Sequence, residues 1–370
     1  MSLLPDAMKN KTTPIIIALL VLVAGAFLFN ALKNNDNERP LGPMSYFEMA
    51  GSFTGKFGEP FETNALTAQE DITVRVYFDD SLIHTFPKAK KQTKIRIPKD
   101  LLTIGAHGLK ISAKHHSLGQ TEDERVLYVY SDSPPQKWNL TILNQYPHND
   151  SSFTQGLVFS EDKLFEGTGD PQGIGATLIG EVALNTGAMI RRKGQPSPIF
   201  GEGITIVGEE IFQITWQNNV CYVYNKNDFE VTKQFNYSGE GWGITYDGAF
   251  LIMSDGSERL TFRDPKTFRE VRVIQVYTDD GAITKLNELE FIDGLIYANV
   301  WTSNIIAVID PFTGKVVATI DATPAVQIGK GNGEVLNGIA YNRKTKKTYI
   351  TGKYWNRLFE VKFSAPSPAL

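Results

Sequence analysis

Cysteine is nearly absent: Cys221 is the only one in 370 residues. No internal disulfide can form, no cysteine zinc site is available, and cysteine says nothing about redox compartment. Histidine is scarce too. Of five, His84, His107, His115 and His116 fall in the first third of the chain, and only His148 lies beyond. A three-histidine metal site is therefore excluded from the longer C-terminal part. The His115-His116 pair lacks companions and reads as surface histidines rather than a metal site. Basic residues are not in excess, with 37 Lys and Arg against 41 Asp and Glu and a net charge of −4. Nothing suggests a nucleic-acid surface. No phosphate loop or dinucleotide fingerprint occurs. Hydrophobic content of 42% with 32 glycines and 22 phenylalanines fits an all-β chain with many turns.

One long hydrophobic run is present. Ile15 to Phe29 is apolar or glycine throughout, preceded by Lys9 and Lys11 and followed by a polar stretch from Asn34 to Arg39. The run is a secretory signal or an anchor. Its cleavage-like triplet, Ala24-Gly25-Ala26, lies inside the run, so an uncleaved transmembrane helix with the N-terminus inside is expected. Residues 1–33 form that segment in this reading, 34–43 a flexible linker, and the rest of the chain is exported. Residues 44–131 alternate as strands do, for example Ile72 to Phe78, Thr93 to Ile97 and Val126 to Tyr130. They predict a small immunoglobulin-like β-sandwich without a catalytic grouping. Residues 132–137, with Pro134 and Pro135, form a stiff join.

From 138 to 365 a phrase recurs. It reads Phe153-Thr-Gln-Gly156, Phe200-Gly-Glu-Gly203, Gly241-Trp-Gly243, Asn287-Glu-Leu289 and Leu336-Asn-Gly338. Taking Gly156, Gly203, Gly243, Leu289 and Gly338 as equivalent gives steps of 47, 40, 46 and 49 residues. A strand-rich period in the forties is the mark of propeller blades, so a five-bladed β-propeller is expected. The last repeat holds only three strands. The unclaimed alternating stretch Trp138 to Leu143 is expected to complete it and close the ring.

Two layers of varied residues emerge from the alignment. One holds Gln155, Glu202, Trp242, Asn287 with Glu288, and Asn337. The other holds Thr168, Trp216, Asp255, Trp301 and Lys353. Propeller tryptophans often serve packing alone. Three of them in two equivalent layers, beside a Glu and a Lys, read instead as a pocket for a small, partly apolar ligand. A carboxylate between apolar walls can exchange protons near neutral pH, and a lysine can stabilise an oxyanion.

These phrases, with Thr215-Trp216, Leu286-Asn-Glu-Leu-Glu290, Ala298-Asn-Val-Trp301 and Thr351-Gly-Lys353, resemble the plant and bacterial glutaminyl-peptide cyclotransferases. The resemblance covers about 140 to 363. It implies a five-bladed propeller that cyclises the N-terminal glutamine of peptides or proteins to pyroglutamate with release of ammonia. It implies Glu202, Asn287 and Lys353 as catalytic residues: Glu202 shuttling a proton, Asn287 polarising the carboxamide, Lys353 at the oxyanion. Phe153, Gln155, Phe200, Trp216, Trp242, Trp301 and Asn337 would bind substrate. No cofactor is required; a structural divalent ion in the channel stays open. Two other readings also stay open: a calcium-dependent lactonase using Glu202, Asn287 and Asn337 as ion ligands, and a non-catalytic binding propeller on a membrane stalk.

Overall fold

The computed structural model describes residues 42–195 and 197–366. The hydrophobic run from Ile15 to Phe29 lies outside them. Among the described residues no helix is long and apolar enough to cross a membrane. The described chain is all-β in character, with one α-helix, Thr323–Gly329, and one 3-10 turn, Lys99–Leu101.

By its contacts the chain divides into two compact units. One comprises the described residues up to Met49, with Asn64–Ile95 and Lys110–Glu124; the other comprises Ala50–Thr63, Arg96–Leu109 and the chain from Arg125 onward. In the first, Ser45 to Phe47 pairs antiparallel with Ala65 to Thr67, and the strands Thr73–Phe78 and Ser81–Phe86 form a hairpin. Val74, Val76 and Phe78 are buried while Arg75 between them is exposed, the inside-outside alternation that their spacing predicts.

In the second unit the strands after residue 150 fall into antiparallel sets of four. The first runs Thr154–Ser160, Lys163–Thr168, Leu178–Ala183, Ala188–Gly194. The second runs from Gly201–Val207 to Val231–Asn236, and the third from Ile244–Tyr246 to Glu270–Gln275. The remaining strands share one eight-stranded sheet, joined through Gln136–Pro147. That strand pairs antiparallel with Arg357–Ser364, from Asn139 opposite Ser364 to Pro147 opposite Arg357. The early stretch Trp138 to Leu143 therefore does supply the outer strand of the last repeat. Its start adds a second link: Gln136 to Trp138 runs parallel to Ala318 to Ile320.

The first strands of successive sets are neighbours in order: Thr154–Ser160, Gly201–Val207, Ile244–Tyr246, Leu286–Ile292, Leu336–Asn342, and back to the first. The sheets form a propeller-like fold. The recurring glycines explain how close these inner strands come. A Cβ on Gly156 would lie against the Ile204 nitrogen, and one on Gly203 would fall 2.7 Å from the Ile244 nitrogen. Only a residue without a side chain lets these backbones meet. Apolar residues fill the gaps between sets; Val158, Phe165 and Ile179 pack with Ile204, Ile211, Tyr224 and Phe229. Each fully buried side chain of this kind contributes about 1.5–3 kcal/mol relative to exposure.

Strand register corrects the repeat alignment by one residue in places. Four of the five inner strands carry a bulge near their start, between Thr154 and Gly156, Gly201 and Ile204, Leu286 and Leu289, and Leu336 and Ile339. Leu289 therefore matches Ile204 and Ile339, and Glu288 occupies the glycine position. Asn287 alone, not Glu288, joins Gln155, Glu202, Trp242 and Asn337. The same register puts Gly169 and Gly256, not Thr168 and Asp255, level with Trp216, Trp301 and Lys353. A bulge adds a residue to one strand without changing the partner, so spacing along the sequence cannot reveal it.

Candidate active site

Glu288 and Glu290, on the inner strand Leu286–Ile292, hold the ring rather than face a ligand. Glu288 Oε1 accepts from the Leu157 N–H at 3.2 Å and Oε2 from the Ile339 N–H at 2.8 Å, so one carboxylate ties two other inner strands. Glu290 Oε1 accepts from the Tyr341 N–H at 3.0 Å, and burial pushes its carboxyl up to about 8. Burial also raises Glu288, and the neighbouring Glu290 charge adds to it. Glu166 is likewise internal. It accepts from Thr154 Oγ1 at 2.7 Å and lies 3.2 Å from His148 Nε2, whose Nδ1 donates to the Trp355 carbonyl at 2.8 Å.

The bulged residues build a second, different polar group. Gln155 Nε2 donates to Glu202 Oε1 at 3.0 Å. Asn337 Nδ2 donates to the Thr154 carbonyl at 2.9 Å and to Gln155 Oε1 at 3.3 Å. An amide chain thus orients the Glu202 carboxyl from one side. Buried Oδ1 atoms of Asn287 and Asn337 have no partner. Buried polar atoms are nearly always satisfied, and two open acceptors in one layer mark places a ligand can fill. Asn287 is not hydrogen-bonded through its side chain to Glu202 or Gln155; what brings it to the layer is the close approach of its backbone to Gly243.

Glu202 is 6% exposed. Burial raises its proton affinity well above the ordinary carboxylate range; Lys353 opposes this and Glu240 reinforces it. Lys353 is 4% exposed, and burial pulls its ammonium below the usual lysine range against the attraction of Glu202. Its Nζ sits 4.4 Å over the Phe153 ring. Acid and cation feel each other's charge without an ion pair within 4 Å, which leaves both available to a ligand.

Aromatic rings wall this group. Phe153 packs against Tyr354 at 5.2 Å and edge-on to Phe200 at 6.1 Å; Phe200 meets Trp216 at 5.6 Å; Trp242 meets Trp301 at 5.4 Å. The glycines level with the tryptophans make room for these rings. A Cβ on Gly169 would lie 2.5 Å from Phe200 Cε1, and one on Gly256 would lie 2.6 Å from the Trp242 ring. Trp216 and Trp301 are each 37% exposed, so they form the rim, while Gln155, Asn287 and Asn337 lie at depth.

Sequence reasoning missed Glu240 and Tyr354. Glu240 Oε2 accepts from the indole N–H of Trp216 at 2.8 Å and of Trp242 at 2.9 Å, while Oε1 accepts from Gln217 at 2.8 Å. One carboxylate sets the direction of two walls. Burial pushes Glu240 up, but the donors of Gln217, Trp242 and Trp216 outweigh it and hold the group below the usual range. A signal was there: Gly239-Glu-Gly241 duplicates Gly201-Glu-Gly203. Among the described residues no group of three or more His, Cys, Asp or Glu is placed to hold a metal ion.

Residues 112–363 match the family model described as glutamine cyclotransferase. The chain belongs to the glutamine cyclotransferase family. A curated glutaminyl-peptide cyclotransferase of Arabidopsis thaliana is 33% identical over 234 residues, 62% of this chain and 72% of that protein. The crystal structure of Myxococcus xanthus glutaminyl cyclase is 35% identical, covers 63% of this chain and all of that one, and superposes with a TM-score of 0.59. The cyclotransferase match thus takes in every residue of the layers described above.

Glu240→Gln tests the tryptophan clamp. The amide keeps one acceptor and turns its NH2 toward a donor, so one wall loosens. The charge that raises Glu202 disappears as well. On the expectation that Glu202 acts as an ionised base, the acid limb of kcat/KM is expected to move to lower pH, with KM rising roughly tenfold. Rates across pH, with tryptophan fluorescence, check this; an unmoved limb and KM would contradict it.

Proposed function

We propose that the chain is a glutaminyl-peptide cyclotransferase acting on peptides or proteins with an N-terminal glutamine. The observation that carries the assignment is Glu202: buried, raised in proton affinity, oriented by Gln155, with Lys353 close in charge but unpaired. The neutral α-amine attacks the side-chain carboxamide carbon of the same residue. A C–N bond forms, the C–NH2 bond breaks, and pyroglutamyl peptide and ammonia leave. Glu202 takes the amine proton and returns it to the departing NH2, so the carboxylate is regenerated. Lys353 stabilises the developing oxyanion. The open Oδ1 atoms of Asn287 and Asn337 accept from substrate N–H groups. Asn287 polarises the carboxamide with its Nδ2 donor. Phe153, Phe200, Trp216, Trp242 and Trp301 pack the folded glutamine chain, and holding the two reacting atoms together supplies much of the rate.

In this reading the four-stranded sets are the blades of a five-bladed propeller, and residues 44–131 are an immunoglobulin-like spacer. The run from Ile15 to Phe29 anchors the chain in a membrane, with the basic N-terminus inside and the catalytic part on the exported face; Lys9 and Lys11 support that orientation. Protease added to spheroplasts is expected to digest the bulk of the chain, and full protection would sink the topology. The activity is tested by ammonia release from a short Gln-peptide, with an Nα-acetylated Gln-peptide as control. Release from the free peptide only is expected; none from either would end the assignment.

A further inference from the structure

A groove of about 1200 Å³ opens beside the pocket. Phe153 and Tyr354 line both: Lys353 Nζ sits 4.4 Å over the Phe153 ring, and the Tyr354 ring packs against Phe153 at 5.2 Å. The groove therefore begins where the pocket ends. An extended chain advances about 3.3 Å per residue, so a peptide whose first residue fills the pocket meets this groove with the residues that follow.

The groove wall is built rather than incidental. Ile174 is 73% exposed on it, on a loop locked from below. Asp170 accepts from the Ile174 N–H at 3.1 Å and the Gly175 N–H at 2.7 Å, and Gly173 and Gly175 take positive φ of 67° and 83° to permit this. Asp170 is thereby occupied by its own loop. Arg192 and Lys330 also line the groove, both exposed, and neither makes an ion pair within 4 Å among the described residues. Asp150 is the one remaining carboxylate on the wall, and its charge acts on the adjacent buried His148.

We propose that this groove binds the polypeptide downstream of the N-terminal glutamine, and that Arg192 and Lys330 select substrates carrying acidic side chains soon after it. The proposal rests on the cyclisation reading and names the substrate class for it. An exposed apolar side chain held rigidly, flanked by two uncommitted cations, suits an extended acidic segment: backbone and apolar contacts give affinity, and charge gives choice.

The test uses the full chain and the double variant Arg192→Glu/Lys330→Glu. Substrates are a Gln-dipeptide amide, a Gln-hexapeptide with glutamates at its third to fifth positions, and the same hexapeptide with lysines. The wild type is expected to favour the acidic over the basic hexapeptide, and the double variant to lose roughly tenfold in kcat/KM on the acidic one with the dipeptide unchanged. Unchanged dipeptide turnover also shows that the variant is folded. Ile174→Glu, which adds repulsion without removing either cation, is expected to act in the same direction. Variants that treat all three substrates as the wild type does would overturn the proposal. If the wild type releases no ammonia from any substrate, the cyclisation reading falls. Fluorescence anisotropy with a labelled pyroglutamyl acidic hexapeptide then decides the groove separately. Binding weakened about tenfold by the double variant supports it; equal binding overturns it.

Discussion

Glu202→Gln is expected to lower kcat for Gln-peptide cyclisation by about 10²–10⁴-fold, the usual cost of losing a general acid-base group. Glutamine keeps the shape and can still accept the hydrogen bond from Gln155 Nε2, so binding is expected to change little. The fold gains, if anything. Burial raises the proton affinity of Glu202 in the folded chain above its value of about 4.5 when unfolded. A group shifted in this direction contributes its full stability only below the unfolded value, and loses it as pH rises through the folded one. Glutamine cannot ionise and carries no such loss. At neutral pH the variant is therefore expected to melt at or above the wild-type temperature while being almost inactive, a trade between activity and stability that sites of this kind show. Near wild-type turnover would remove Glu202 from the chemistry. A sharply lowered Tm would mean that the carboxylate holds the fold. Glu288→Gln is the companion variant: with its two N–H partners on other inner strands, its loss is expected in Tm rather than in proton transfer.

Gly243→Ala is expected to damage the fold strongly for so small a substitution. A Cβ there would fall inside contact distance of the Asn287 carbonyl oxygen and 2.8 Å from the Glu288 Cα. Both obstacles are backbone on the neighbouring inner strand, so no side-chain rotation relieves them. Overpacking against side chains costs about 1–3 kcal/mol, and against fixed backbone the cost is expected to reach the top of that range or exceed it. For a unit of this size that is a fall in Tm of roughly 6–12 °C. Activity should fall further than stability alone explains, because the strand pushed aside carries Asn287. Gly194→Ala is the control. Its Cβ would meet Leu178 Cδ2 at 3.4 Å and the Thr177 carbonyl oxygen at 3.8 Å, neither a clash, so Tm is expected to move by about 2 °C or less. Calorimetry on the pair decides the matter: equal melting of both variants would refute the close-approach account of the recurring glycines.

Much of the architecture was readable without coordinates because its causes are local or periodic. Backbone contact between inner strands demands glycine at Gly156, Gly203 and Gly243, and that demand repeats at blade spacing. Turns announce themselves by residues whose side chains bond the next amides, as Asp247 does to Ala249 and Phe250. An unpaired last repeat implied a strand from elsewhere, and Trp138 to Leu143 was the alternating stretch left over. The polar layer was likewise legible as Gln155, Glu202 and Asn337, since equivalent positions around a ring meet at its centre.

What the sequence left open depends on pairing and burial. The strand pairings, with their bulges, decide that Asn287 and not Glu288 joins the layer, and that Gly169 and Gly256 stand where tryptophans stand in other sets. They are fixed by which amide bonds which carbonyl across two strands, and no spacing along one strand encodes that. The joint hold of Glu240 on Trp216 and Trp242 depends on two indoles from different sets turning toward one carboxylate. The character of Glu202 is the plainest case. A glutamate between glycines is as consistent with a wet turn as with a proton carrier. What decides between them is the enclosure by distant segments and the charges of Lys353 and Glu240, because proton affinity is set by surroundings assembled in three dimensions.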